Sequence, residues 1–212
     1  MNERLHPLAP LLTGVARLLT GATVVWKDCE PEVRQRIYFA NHTSHLDFLV
    51  VWAALPPEVR VLTRPVAARD YWSRGLRRYL ATNVFRAVLV ERGGTAPAGL
   101  AAARAREVIE MTAAEMGQRH SLILFPEGTR GDGEKLGKLK SGIFHLCRMR
   151  PDVELVPVYI DNMSRILPKG ELAPVPLLSR VIFGAPTRIG EGEEKAPFLQ
   201  RLEGALQALR AS

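Results

Sequence analysis

Short apolar runs alternate along this chain with segments whose apolar residues recur every three or four positions. Ile37-Tyr38-Phe39-Ala40 is brief, aromatic and branched, the pattern of a buried strand. Leu49-Val50-Val51-Trp52 continues through Ala53-Ala54-Leu55 to Pro56-Pro57, which suits a helix stopped by proline. Further strands are expected at 23–26, 59–62, 87–90, 121–125, 153–160 and 180–183. Pro157 interrupts the 153–160 run, which points to an edge or a bulge. Helical spacing covers 97–118, 141–149 and 196–210, the last with Phe198, Leu202, Leu206 and Leu209 on one side. Leu8, Leu11, Leu12, Val15, Leu18 and Leu19 form one apolar stripe near the N-terminus, and 161–180 reads as loop. Strands interleaved with helices, with no repeat and no linker, read as a single α/β domain.

Composition narrows the class. With 212 residues, 47% hydrophobic and 24% charged, the chain is long enough for a large core and ordinary for a globular protein. The formal net charge of +7 and pI near 9.8 call for an anionic partner. Between Arg60 and Arg92 eight arginines face only Asp70 and Glu91, a net +6, with Tyr71, Trp72 and Tyr79 interleaved. Such a run suits a nucleic-acid groove, anionic headgroups, or a solvated helical face. Cys29 and Cys147 make no disulfide framework, a reducing cytosol fits, and Cys147 reads as a small buried residue. The N-terminal segment carries Pro10 and Arg17, too interrupted for the ~20 apolar residues of a spanning helix, and has no signal-peptide pattern. Its stripe fits either packing on the chain's own core or a helix lying in a membrane interface.

The chemistry concentrates at Asn41-His42-Thr43-Ser44-His45-Leu46-Asp47-Phe48, a strand-to-helix turn. Residues five apart do not share a helix face, so His42 meets Asp47 only from the turn before the helix. Ser44-x-x-Asp47 has capping-box spacing, with Ser44 as N-cap. A carboxylate behind an imidazole makes a general base. The alternative is that Asp47 only caps the helix and His42 only satisfies a carbonyl. A metal site from His42, His45 and Asp47 is the weaker reading, because no second ligand cluster appears elsewhere.

This stretch resembles the first motif of the glycerolipid acyltransferase family, typified by bacterial 1-acyl-glycerol-3-phosphate acyltransferases, whose HxxxxD element is His42 to Asp47 here. Three further segments are similar in the family's order: Arg92 after the 87–90 strand, Phe-Pro-Glu-Gly-Thr-Arg at 125–130, and the Val-Pro-Val strand around Pro157. Together they span roughly 36–160 as a motif-bearing core, with 1–26 as an amphipathic segment. Many family members carry an aromatic where this chain has His45.

The resemblance implies a single α/β domain: a central, mostly parallel mixed sheet flanked by helices, with an N-terminal amphipathic helix. It implies an O-acyltransferase moving a fatty acyl group from acyl-CoA or acyl carrier protein to a lysophospholipid hydroxyl, by default 1-acyl-glycerol-3-phosphate, giving phosphatidate. Glycerol-3-phosphate and lyso amino-acid lipids are alternative acceptors. Implied roles are His42 and Asp47 as catalytic base, and Arg92, Glu127, Gly128, Thr129, Arg130 and Lys140 in substrate binding, without metal or cofactor. Backbone amides near the helix N-terminus are the expected oxyanion donors. An anionic membrane surface is the expected partner, nucleic acid is not, and the expected location is the cytoplasm, peripheral on the inner face of the cell membrane. The rivals are a hydrolase using the same pair on water, and a basic module binding membrane or nucleic acid; the latter leaves the four segments unexplained.

Overall fold

The computed structural model describes residues 3–91, 98–161 and 179–212. In chain order these form α1 (Ala9–Thr20), β1 (Thr23–Trp26), β2 (Arg36–Ala40), α2 (Asp47–Ala54), a helical turn α3 (Pro57–Arg60), β3 (Thr63–Ala68) and α4 (Gly75–Tyr79), which runs into a π-helical turn at Leu80–Val84. Then follow β4 (Val88–Val90), α5 (Ala98–Met116), β5 (Ser121–Leu124), α6 (Gly142–Met149), β6 (Glu154–Asp161), β7 (Arg180–Phe183) and α7 (Lys195–Arg210). The loop expected at 161–180 falls largely outside the described residues.

The strands make one seven-stranded sheet in the order β1-β7-β6-β2-β5-β3-β4. Neighbours pair parallel except β6 with β7, so β1 and β7 run against the other five. Strand β2 is buried at every position because both its faces are covered. Alternate residues go to opposite layers: Tyr38 and Ala40 pack with Val51, Trp52 and Leu55, while Ile37 and Phe39 pack with Ile143, Leu146, Phe198 and Leu202. The expected stripe of α7, Phe198, Leu202, Leu206 and Leu209, is buried.

Two expectations change, and for Pro157 the bulge is the alternative that holds. Residues 59–62 are not a strand: Pro56-Pro57 starts a helical turn, and pairing begins at Thr63. Arg60 from that turn is buried and donates to the carbonyls of Trp52, Ala53 and Leu55, capping the C-terminus of α2, and to Thr13 Oγ1 of α1. It therefore belongs to the core, not to the basic surface. Pro157 sits in an interior strand, yet at a bulge. Three steps along β6, from Val158↔Phe183 to Leu155↔Thr187, face four on the other side, so its missing N–H breaks no ladder bond. Its carbonyl still accepts from Gly184 N–H at 2.9 Å.

Helix α1 turns most of its stripe outward, while Leu12 packs against the core. Its buried face is Ala9, Thr13, Ala16 and Thr20, small residues that let it lie close on α2, with the hydroxyls donating to the carbonyls of Ala9 and Ala16. Leu11 and Leu18 are 63% and 83% exposed. Among the described residues no helix is long and apolar enough to cross a membrane.

At the entry ends of β2 and β6, Arg36 and Glu154 stand directly opposite and form a buried ion pair, Nε to Oε2 at 3.1 Å. Burial pushes the Glu154 carboxyl up, but its bonds to Arg34 and Arg36 outweigh this and hold it below its usual value. Glu154→Gln should therefore remove the buried countercharge of Arg36, leaving only the half-exposed Glu32 carboxylate at 3.6 Å, and cost about 3 kcal/mol, read as a lower urea midpoint at neutral pH. A group whose folded value is depressed stabilises above the unfolded value and loses that contribution as pH falls through the folded one. The gap between wild type and variant should narrow on acidification below the ordinary carboxylate range; a gap independent of pH would contradict this assignment.

Candidate active site

Strands β2 and β5 are adjacent and parallel, so the turns leaving their C-terminal ends emerge side by side. Crevices at such ends are where open α/β sheets bind ligands. Asn41 fixes the first turn. Its side chain donates to Ile160 O (3.0 Å) and accepts from Ile160 N–H (2.8 Å), extending the β2–β6 pairing by one side chain. A group that both donates and accepts at this reach is an asparagine amide. Its position at the end of a buried strand was the only signal for this role in the sequence.

The next residues bend round the N-terminus of α2. Asp47 is the first helical residue and is fully buried. Its Oδ2 accepts three hydrogen bonds: His42 Nδ1–H at 2.8 Å, Thr43 N–H at 2.6 Å and Ser44 N–H at 2.8 Å. A negative group there is favoured by the helix dipole. The expected capping box is half made. Asp47 reaches back to Ser44 N–H, but Ser44 Oγ accepts from Leu46 N–H at 3.3 Å, and Leu46 holds the N-cap position. Asp47 Oδ1 and Thr43 Oγ1 are buried without a partner among the described residues.

A carboxylate only accepts, so the His42 proton sits on Nδ1 and the opposite nitrogen, Nε2, carries the lone pair. The ring stacks on Phe125 (4.4 Å, 27°), which sets its plane. His42 lines a cleft of about 480 Å³. With Nδ1 turned to buried Asp47, Nε2 is the edge that faces it.

The cleft runs over the ends of β3, β4 and β5 and under α5 and α6. One side is apolar, with Val66, Val90, Val108, Ile109, Leu124 and Leu146; Thr129, Arg130 and Lys140 are on its wall. Gly128 has φ +70°, and a Cβ there would lie 2.7 Å from Lys140 Nζ, so this glycine lets the lysine side chain fold across the loop. The structure thus brings His42, Gly128, Thr129, Arg130 and Lys140 to one cleft, with Asp47 directly behind it. Arg92 lies outside the described residues.

Glu127 is placed differently from its neighbours. It is buried at 6% exposure, does not line the cleft, and accepts from His42 N–H (2.9 Å) and Gly137 N–H (3.0 Å). Burial pushes its carboxyl above the ordinary value despite those two amides. The amides of His42, Thr43 and Ser44 are thus all committed to carboxylates, so the oxyanion donors expected there must come from elsewhere.

His45 is exposed at the rim and stacks on Tyr71 (4.7 Å, 15°), with the Arg77 guanidinium over the same ring at 4.6 Å. It lines the same cleft as His42, on the side of this column. Among the described residues no group of three or more His, Cys, Asp or Glu side chains gathers in metal-binding geometry.

Comparisons with known proteins bear on the family and the fold. The Acyltransferase family model matches residues 23–161. The chain is 28% identical over 170 residues to the 1-acyl-sn-glycerol-3-phosphate acyltransferase of Limnanthes alba, covering 79% of this chain and 56% of that protein. It is also 28% identical over 163 residues to the taffazin of Dictyostelium discoideum, covering 74% and 54%. It thus spans about half the length of these curated relatives. The fold is that of the 1-acyl-sn-glycerophosphate (LPA) acyltransferase PlsC from Thermotoga maritima, with TM-score 0.67, 20% identity, and 95% of this chain and 78% of that one covered. The histidine paired with a buried carboxylate lies inside the matched segment, and the chain belongs to the acyltransferase family.

Proposed function

We propose that this chain transfers a fatty acyl group from a thioester, acyl-CoA or acyl carrier protein, to a lysophospholipid hydroxyl, and that 1-acyl-glycerol-3-phosphate is the acceptor. The observation that carries this is the His42–Asp47 pair with Nε2 open to a largely apolar cleft bearing two cations, Arg130 and Lys140. His42 Nε2 takes the proton of the acceptor hydroxyl, and the oxygen attacks the thioester carbonyl. The tetrahedral adduct collapses, the thiolate leaves, and the imidazolium returns the proton to it. Asp47 holds the tautomer and stabilises the imidazolium. The acyl chain lies along the Val66–Leu146 side, in a volume ordinary for a small-molecule site of ~300–1,000 Å³. Arg130 and Lys140 bind the acceptor phosphate and offset the negative charge of the adduct, since the turn's amides are engaged. No acyl-enzyme is required; the Cys147 thiol is buried and pushed up to about 12, which leaves it inert.

His42→Ala should lower kcat by ~100-fold or more, the scale of general-base catalysis, while His45→Ala keeps most activity. The assay is thioester-dependent release of free thiol with the lysophospholipid present. Near-normal turnover in the His42 variant would sink the mechanism, and thiol release without acceptor would point to hydrolysis.

Arg130→Ala and Lys140→Ala should each raise the acceptor KM more than the donor KM, the signature of lost substrate binding. Arg92→Ala tests the role that the resemblance implies for that residue by the same measurement. Equal acceptor KM in all three variants would remove the phosphate grip.

We propose that the protein acts at a membrane surface, a reading that α1 and α4 support. Leu11 and Leu18 project from α1, while Leu76 (73% exposed) and Tyr79 project from α4 among Arg74, Arg77 and Arg78. His6 and Tyr79 touch, with Tyr79 OH and His6 Nε2 at 3.2 Å, so the segment leading into α1 meets α4. Exposed apolar side chains among arginines suit an anionic lipid surface better than a nucleic-acid backbone. The protein should sediment with anionic vesicles at low salt and be partly released at 1 M, where the screening length falls to ~3 Å. Leu11→Glu with Leu18→Glu should weaken binding without loss of fold, because both side chains are exposed. Vesicle binding equal to wild type in that double variant would return the stripe to another role.

A further inference from the structure

The main chain of His42 is held on both sides of its Cα by the loop after β5. His42 N–H donates to Glu127 Oε1 at 2.9 Å, and His42 O accepts from Gly131 N–H at 2.8 Å. The second carboxylate oxygen of Glu127 accepts from Gly137 N–H at 3.0 Å, on the far side of the same loop. The loop is closed at its end by Lys140 N–H donating to Pro126 O at 2.8 Å. Gly137 has to be glycine for this contact, since a Cβ there would run into the carboxylate. Glu127 is buried, and it is absent from the cleft wall that Pro126, Gly128, Thr129 and Arg130 help to line.

From this geometry we infer that Glu127 is a positioning residue: it holds the His42 backbone in register with the loop that carries Arg130 and Lys140, and does not itself touch the acceptor. The inference rests on the reading of His42 as the base. Asp47 orients the imidazole through Nδ1, whereas Glu127 locates the main chain from which the imidazole hangs. Only a carboxylate suits the place. A glutamine would turn its NH2 toward one of two N–H groups, and an aspartate, one methylene shorter, would not span both. Because the loop passes directly from Glu127 to the cleft residues Gly128 to Arg130, a shift of the carboxylate moves the base relative to the cations.

Two variants test this. Glu127→Gln turns one acceptor into a donor. Gly137→Ala leaves Glu127 intact and displaces its carboxylate with a methyl group. Both should lower kcat by ~10- to 100-fold, the cost of misplacing a reacting group by about 1 Å, with acceptor and donor KM within a factor of about 2. The double variant should be no worse than the poorer single one, because both break the same contact. The NMR signal of the His42 Nδ1 proton should move in both variants, a readout that does not depend on turnover. A raised acceptor KM with unchanged kcat in Glu127→Gln would make Glu127 a binding group and overturn the inference. So would wild-type kinetics with an unmoved proton signal, or unfolding of both variants at the assay temperature, which would make Glu127 a fold brace alone. His42→Ala in parallel separates the two readings. If it retains turnover the base assignment fails, whereas the proton signal still reports whether Glu127 sets the position of His42.

Discussion

One oxygen atom, Asp47 Oδ2, fixes the geometry on which the chemistry depends. It is fully buried and draws in an imidazole N–H and two consecutive backbone N–H groups. The two amides can reach it only if residues 42–46 curl back over the N-terminus of α2, and that curl brings Nδ1 of His42 within 2.8 Å. The tautomer, the ring direction and the shape of the turn are therefore one constraint. The companion oxygen Oδ1 is buried without a partner among the described residues. Such a group costs stability and is tolerated where function requires the arrangement.

Around this constraint the two carboxylates divide the work. Asp47 acts on the His42 side chain from α2, and Glu127 acts on the His42 backbone from the turn after β5. Adjacent parallel strands make the division possible, since β2 and β5 release their turns at the same edge. The arrangement also has a chemical consequence. Amides at a helix N-terminus are ready anion sites, but here they are filled by the protein's own carboxylates. Negative charge arriving in the cleft then meets side-chain cations, and Arg130 and Lys140 are both on the wall. Basic side chains facing an apolar cleft suit a substrate with a phosphate at one end and a hydrocarbon at the other.

What was legible in the sequence follows from the range of the interactions involved. Elements governed by local period read correctly: β1, β2, β7, α6 and α7 lie within a residue or so of their expected bounds. His42 and Asp47 meet from the turn before the helix, the one arrangement that the five-residue spacing allowed for a contact. Features decided by distant neighbours did not read. The stripe of α1 is as apolar as a core stripe, but Ala9 and Ala16 face α2 instead, because small residues allow closer approach. Arg60 counted toward a basic surface, and only the folded α2 shows that it caps three carbonyls. Asn41 gains its role from Ile160, 119 positions away, and Glu127 from His42, 85 positions away. Contacts at such separations leave no local pattern. Pro157 did read: a bulge was one of its two expected places, and the extra residue lies on the returning chain at 184–187 opposite it.

The two central strands serve different demands at their two ends. β2 begins with Arg36 opposite Glu154 in a buried ion pair and ends at Ala40 opposite Val158, one residue before Asn41 grips Ile160. A buried pair is weak evidence for net stability, because desolvation offsets its attraction, but it fixes alignment well: one step of slip separates the charges inside the core. The same slip would carry Asn41 off Ile160 and turn the His42 peptide away from Glu127. Register chosen at the charged end is thus transmitted along a fully buried strand of five residues to the end that carries His42. That is reason to retain a costly ion pair far from the cleft: it keeps His42 where the loop after β5 can hold it.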